Sequence, residues 1–185
     1  MKKYLITSRE FYTDTPAVFR NILSEQFKIH KPDYALYRDK SNQNYDIQAE
    51  HFVEVCASFE GIKCFIHQKV NLAKKLNANG VHLTSKQFNE IKYAKDLGLE
   101  VIISTHTQEE VLKAQAFGAD AVTYGPIFHS PGKGETKGVK NLKELIEKCK
   151  IKVFALGGVI DSTQVELLQG INLYGYASIR YFFNK

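Results

Sequence analysis

The sequence predicts an α/β fold, a single (β/α)8 TIM barrel with the last helix truncated, and three observations predict it. Eight short apolar segments rich in β-branched and aromatic residues recur along the 185 residues. They are nearly continuous apolar runs, as expected for parallel strands covered on both faces. Segments with apolar positions at three- and four-residue spacing separate them, and a strand comes first. A flavodoxin-like or Rossmann sheet is the alternative, but such sheets use about five or six strands.

Residues 3–7 (KYLIT) open the chain as a strand, and 15–24 read as a helix. Strand 34–38 (YALYR) precedes helix 46–58, and strand 63–67 (KCFIH) precedes helix 70–76. Strand 80–83 (GVHL) leads to helix 85–97, which Ser85 opens and Gly98 ends. Strand 100–104 (EVIIS) leads to helix 107–117, where Thr107 and Glu110 have capping-box spacing and Gly118 follows. Strand 121–124 (AVTY) is followed by helix 141–148, and strand 152–156 (KVFAL) by helix 162–168, with Asp161 before it and Gly170 after. Strand 173–177 (LYGYA) comes last. Only RYFFNK follows it, so the eighth helix is expected to be missing or about one turn long. Tyr181, Phe182 and Phe183 then cover the barrel face or sit in a dimer contact. No linker or internal repeat divides residues 1–185, which are read as one domain.

Composition excludes several classes. At 44% hydrophobic and 12% aromatic residues, disorder is not expected. No apolar run approaches the roughly 18–20 residues of a membrane span. The start, MKKYLITSREFY, lacks the long apolar core of a signal peptide, so a cytoplasmic protein with no membrane partner is expected. The net charge is +5, yet the lysines are interleaved with glutamates as on solvated helix faces. That pattern argues against nucleic acid and leaves a phosphorylated small molecule as the natural partner of the basic excess. Cys56, Cys64 and Cys149 form no CxxC and read as reduced structural thiols.

In such barrels the chemistry lies at the C-terminal ends of the strands. Gly157 and Gly158 end the seventh strand, where backbone N–H groups of glycine can approach a phosphate; the alternative is a tight turn only. The segment 125–138 is long for a βα loop and carries His129, Ser130, Lys133 and Lys137 among glycines, as a lid over an anionic substrate would. Arg38 and Lys40, two apart, point to one side and either hold a second anion or pair with carboxylates at the rim. His106 and His129 fall in loops, where titrating groups are more often functional, whereas His82 within GVHL reads as a structural barrel histidine.

The strings YRDK (37–40), NANGVHL (77–83), ISTHTQEEVLKAQAFGADAVTYGPIF (103–128) and ALGGV (155–159) resemble thiamine phosphate synthase and its TenI-type relatives. The resemblance runs in order along nearly the whole chain. It implies that Arg38 and Lys40 bind a diphosphate, that Ser104 lies near a pyrimidine, and that Ser130, Gly157 and Gly158 hold a thiazole phosphate under the lid lysine, Lys133. Ser178, or Ala177 one position away, matches a serine of the eighth strand. It also implies Mg2+ on the diphosphate, but the metal-binding carboxylates are replaced by Gln68 and Gln87, and an amide is a weak Mg2+ ligand. Only Asp39 and Glu90 stand nearby as replacements.

No cofactor is therefore expected, with Mg2+ only if synthase activity is kept. A TenI-like, metal-independent isomerase of the thiazole tautomerase type is the preferred expectation. The tautomerase pattern has a histidine where this chain has Pro126, so His129, His106 or His67 would supply the acid or base. The alternatives are a divergent synthase and a non-catalytic protein that binds thiazole phosphate or thiamine phosphate. The resemblance and the short end also make a homodimer an expectation.

Overall fold

A computed structural model describes residues 1–183. Eight parallel strands close into a barrel in sequence order: β1 (Lys2–Ile6), β2 (Tyr34–Tyr37), β3 (Lys63–His67), β4 (Gly80–Leu83), β5 (Glu100–Thr105), β6 (Ala121–Tyr124), β7 (Lys152–Leu156) and β8 (Gly175–Ser178). The pairing of β1 with β8, Tyr4 opposite Ala177, closes it. The helices are α1 (Arg9–Tyr12), α2 (Pro16–His30), α3 (Tyr45–Ala57), α4 (Val70–Lys75), α5 (Ile91–Asp96), α6 (Gln108–Ala116), α7 (Gly138–Lys148) and α8 (Ser162–Gln169).

Strand side chains alternate between two faces, and this chain has two cores to match. Leu5, Ala35, Tyr37, Ile66, Val81, Val101, Ile103, Val122 and Val153 pack outward with helix residues such as Phe19, Phe52 and Leu142. Tyr4, Ile6, Tyr34, Leu36, Phe65, Ile102, Ala121, Phe154 and Ala177 pack with one another and with no helix, so they fill the barrel. The filling is aromatic: the Tyr4, Tyr34 and Phe154 rings meet at 5.2–5.8 Å between centroids. The space for these rings comes from Gly80 and Gly175, where a Cβ would strike Phe65 and Phe154 respectively.

The sequence expectation differs from the structure at identifiable places. Helix α2 runs on to His30 because Gln26 and Phe27 continue its buried stripe, and Lys31 ends it in a left-handed conformation. The helix expected over 85–97 is divided, since Gln87 accepts from the backbone N–H of Thr84 and a 3-10 turn, Phe88–Glu90, precedes α5. Helix α1 is an additional turn directly after β1. The capping box at α6 is shifted: Thr107 accepts from the Glu110 N–H, but the Glu110 carboxylate reaches the N–H of His106. At α8 the box is complete, between Asp161 and Gln164.

After β8 the described chain makes a 3-10 turn, Arg180–Phe182. Phe182 is fully buried and stacks on Tyr176, while Phe183 packs on Phe11 at 4.7 Å. These aromatics cover the barrel face, one of the two roles expected of them. No helix among the described residues is long and apolar enough to cross a membrane.

Candidate functional site

The alternation that buries Leu36, Phe65, Ile102 and Ala121 inside the barrel carries the next inward positions up to its mouth. Those are Arg38, His67, Ser104 and Thr123, with His82 beside them on β4. Polar side chains thus stand directly on an aromatic floor. The strand ends where chemistry was expected are the ones that supply them.

Arg38 is partly buried, and no carboxylate pairs with it, with Lys40 or with Lys133 among the described residues. Asp39 makes its close contacts elsewhere, accepting from the Ser41 N–H at 3.0 Å and facing the Arg9 guanidinium at 3.7 Å, though its charge still offsets part of that of Arg38. Lys40 is crowded by the other two. Arg38 lowers the Lys40 ammonium most, with burial and then Lys133 adding to it. Burial lowers the Arg38 guanidinium as well, against an opposing pull from the Asp39 carboxylate. Arg38 with the exposed Lys40 and Lys133 leaves an excess of positive charge at the mouth, which attracts an anion.

His67 is 8% exposed, and burial, with Arg38 and Lys40 adding, lowers its imidazole to about 4. It is therefore neutral near pH 7 and a weaker base than a free histidine. Tyr45 holds its backbone, accepting the His67 N–H at 3.1 Å and standing 3.3 Å from its carbonyl. His82, 3% exposed, lies between Tyr4 Oη at 2.9 Å from Nδ1 and Ser104 Oγ at 3.0 Å from Nε2. It is a core histidine with both ring nitrogens partnered, and it links the floor to Ser104. The Thr123 hydroxyl, one strand from Ser104, is buried without a hydrogen-bond partner.

His106 is exposed at the end of β5, its Nδ1 3.2 Å from the Gly125 carbonyl. A carbonyl only accepts, so in the neutral ring Nδ1 carries the hydrogen and Nε2 keeps its lone pair. His129 is exposed, and its side chain makes no hydrogen bond or ion pair among the described residues.

The 125–138 loop is pinned at its base and freer at its tip. Ile127 donates to the Leu156 carbonyl and Phe128 to that of Gly157, while Lys137 and Gly138 return to Pro126 and Ile127. At the tip the Lys133 N–H closes a turn on the Ser130 carbonyl at 3.1 Å. Gly157 and Gly158 have positive φ, 95° and 70°, and a Cβ on them would lie 2.7 Å from Pro126 and 2.6 Å from Phe128. Glycine is required there to bring the β6 and β7 loops together, whatever else its N–H groups bind. Ser178 donates its hydroxyl hydrogen to the Val159 carbonyl at 2.7 Å and accepts from the Tyr181 N–H. Its hydroxyl is thereby occupied in joining β8 to the β7 loop.

The family resemblance implies Mg2+, and the residues present do not fit it. Gln87 Oε1 accepts from both the N–H and the hydroxyl of Thr84, and its amide nitrogen donates to the Gln68 carbonyl and to Glu90. The amide is consumed in holding the 84–90 turn, and Glu90, one possible replacement carboxylate, is held with it. Asp39, the other, is engaged by Ser41 and Arg9. Hard anionic oxygens free to converge on a cation are what Mg2+ needs.

Arg38, Lys40, Lys133 and His67 are thus brought into one electrostatic neighbourhood, and Ser104 into a column with His82. Gly157, Gly158 and Ser130 lie in the facing β6 and β7 loops, whereas Ser178 is tied beneath them. Sequence reasoning did not single out Tyr4, Tyr45 or Thr123. Their signal was available only as strand parity for Tyr4 and Thr123, and Tyr45 carried none, since its hydroxyl acts across 22 residues of chain.

Comparison with known proteins agrees with this architecture. The family model described as thiamine monophosphate synthase matches residues 3–182. The thiamine-phosphate synthase of Clostridium tetani is 31% identical over 78% of this chain and 70% of its own length. That of Pyrococcus horikoshii is 26% identical over 93% of this chain and 83% of its own. The solved thiamine phosphate pyrophosphorylase from Pyrococcus furiosus superposes with a TM-score of 0.80 over 96% of this chain and 85% of that one, at 23% identity, and shares the fold. An eight-stranded parallel barrel matched to this model over nearly its whole length places the chain in the thiamine monophosphate synthase family.

Proposed function

We propose that the chain binds a thiazole phosphate at the barrel mouth and acts on it without a divalent cation, as a TenI-type isomerase of a thiazole carboxylate phosphate. The observation that carries this reading is the combination of Arg38, Lys40 and Lys133, none in a close ion pair among the described residues, with a Gln87 amide already committed to Thr84, Gln68 and Glu90. Side-chain cations then do at the mouth what a metal would otherwise do. The reaction asks only for proton transfer between positions of the bound ring, which a positioned imidazole can perform. His106 is the base this arrangement favours, because Gly125 fixes its Nδ1–H and leaves Nε2 to accept. His67, neutral and lowered to about 4, suits hydrogen bonding better than proton abstraction.

Incubation with the thiazole carboxylate phosphate in the presence of EDTA tests this. Conversion to the aromatic tautomer, reduced at least about ten-fold in His106→Ala, is expected. Binding without conversion would instead leave a non-catalytic phosphate-binding protein.

One observation favours a second reading, a divergent synthase. Arg38, Lys40 and Lys133 together exceed the charge of a single phosphate monoester and suit a diphosphate. Formation of thiamine phosphate from the pyrimidine diphosphate and thiazole phosphate would establish it.

A further inference from the structure

The column Tyr4–His82–Ser104 has a direction. Tyr4 is fully buried and ringed by Tyr34, Phe65 and Phe154, and His82 Nδ1 is the hydrogen-bond partner recorded for its hydroxyl. Burial raises the Tyr4 phenol well above its ordinary value and lowers the His82 imidazole, so both are neutral and exactly one hydrogen sits on the ring. Two arrangements are open. If Nδ1 carried that hydrogen, Tyr4 would have to accept it, and its own O–H would point into aromatic rings with no acceptor. If Nε2 carries it, Tyr4 donates to Nδ1, Nε2–H donates to Ser104 Oγ, and both buried hydrogens of the Tyr4–His82 pair are satisfied. In that second arrangement Ser104, which is partly exposed, accepts from below and keeps its own hydrogen free.

We infer that Tyr4 is a positioning residue: through the Nε2–H tautomer of His82 it makes Ser104 a hydrogen-bond donor toward the mouth, and so selects a ligand that presents an acceptor there. The acceptor is a ring nitrogen, a carbonyl or an acid oxygen, and a ligand presenting an N–H at that place is disfavoured. This rests on the reading of the mouth as a phosphate-ligand site for what the ligand is, but the tautomer stands independently of it.

The experiment uses the full chain labelled with 15N-histidine. Long-range 1H–15N spectra at neutral pH are expected to show His82 with Nε2 protonated and Nδ1 bare, and Tyr4→Phe to shift the Nδ1 resonance as its hydrogen bond is lost while Nε2 keeps its hydrogen. Titration with thiazole phosphate is expected to be about five-fold weaker in Ser104→Ala and less weakened in Tyr4→Phe, which frees the imidazole to turn but keeps its Nε2–H, with no loss beyond that of Ser104→Ala in the double variant, while inorganic phosphate binds all of them alike. An Nδ1–H tautomer in the wild type overturns the inference, as does an unchanged His82 Nδ1 resonance in Tyr4→Phe. If Tyr4→Phe does not fold, the wild-type spectrum alone decides. Failure of the wild type to bind either phosphate would overturn the reading of the mouth and leave the tautomer result intact.

Discussion

Tyr4 on β1 and Ser104 on β5 stand across the barrel from each other and are joined through a single imidazole, His82, at 2.9 and 3.0 Å. The aromatic floor is thereby coupled to the polar mouth, where Arg38, Lys40 and Lys133 form no close ion pair among the described residues. The function proposed for the mouth leads to measurements on each of these parts.

Removing the mouth cations should weaken phosphate ligands without unfolding the barrel. Arg38→Ala, Lys40→Ala and Lys133→Ala are each expected to reduce thiazole phosphate affinity about ten-fold or more, since a hydrogen bond to a charged group contributes about 1.5–3 kcal/mol. Calorimetric titration measures this. Arg38→Ala should also move the His67 titration upward from about 4, because Arg38 is one of the groups that lower it.

His67 makes stability depend on acid in a defined window. Its folded value of about 4 lies below its ordinary 6.5, so between them the unfolded chain binds the proton and the folded chain does not. Stability is therefore full above pH 6.5 and falls as the pH drops toward 4, by about 3 kcal/mol from this group. Urea unfolding across that range should show His67→Gln losing less stability than the wild type by that order. Equal losses would mean that His67 is not held neutral by its surroundings.

The paired glycines should be structural. Gly158→Ala places a methyl 2.6 Å from Phe128 at φ 70°. Gly61→Ala has a similar φ of 83° with nothing within 4 Å, so it reports the conformational cost alone, about 1–2 kcal/mol. Denaturant midpoints should rank Gly158→Ala well below Gly61→Ala, and both below the wild type.

His106→Ala should lower kcat of the proposed isomerisation far more than it raises KM, because the Nε2 lone pair acts on the bound ring and contributes little to holding the phosphate. A change confined to KM would assign His106 to binding.

Much of the barrel was legible because strand and helix periods are local properties. The run GVHL reads as a strand and is one, and the LGG of β7 announces its turn. What sequence could not show is where a polar side chain turns. Gln87 reads as a lost carboxylate, but only the fold reveals that its amide closes the 84–90 turn. Ser178 reads as a phosphate ligand, yet its hydroxyl is taken by Val159, 19 residues away. His67, His106 and His129 are alike in sequence, and burial, the Gly125 carbonyl and exposure make them different.

The central claim is that side-chain cations replace the metal at this mouth. Titration of thiazole phosphate into the wild type, once with Mg2+ and once with EDTA, tests it most directly. The account predicts the same affinity in both, and its loss in the Arg38→Ala, Lys40→Ala double variant. Binding that appears only with Mg2+ would contradict it.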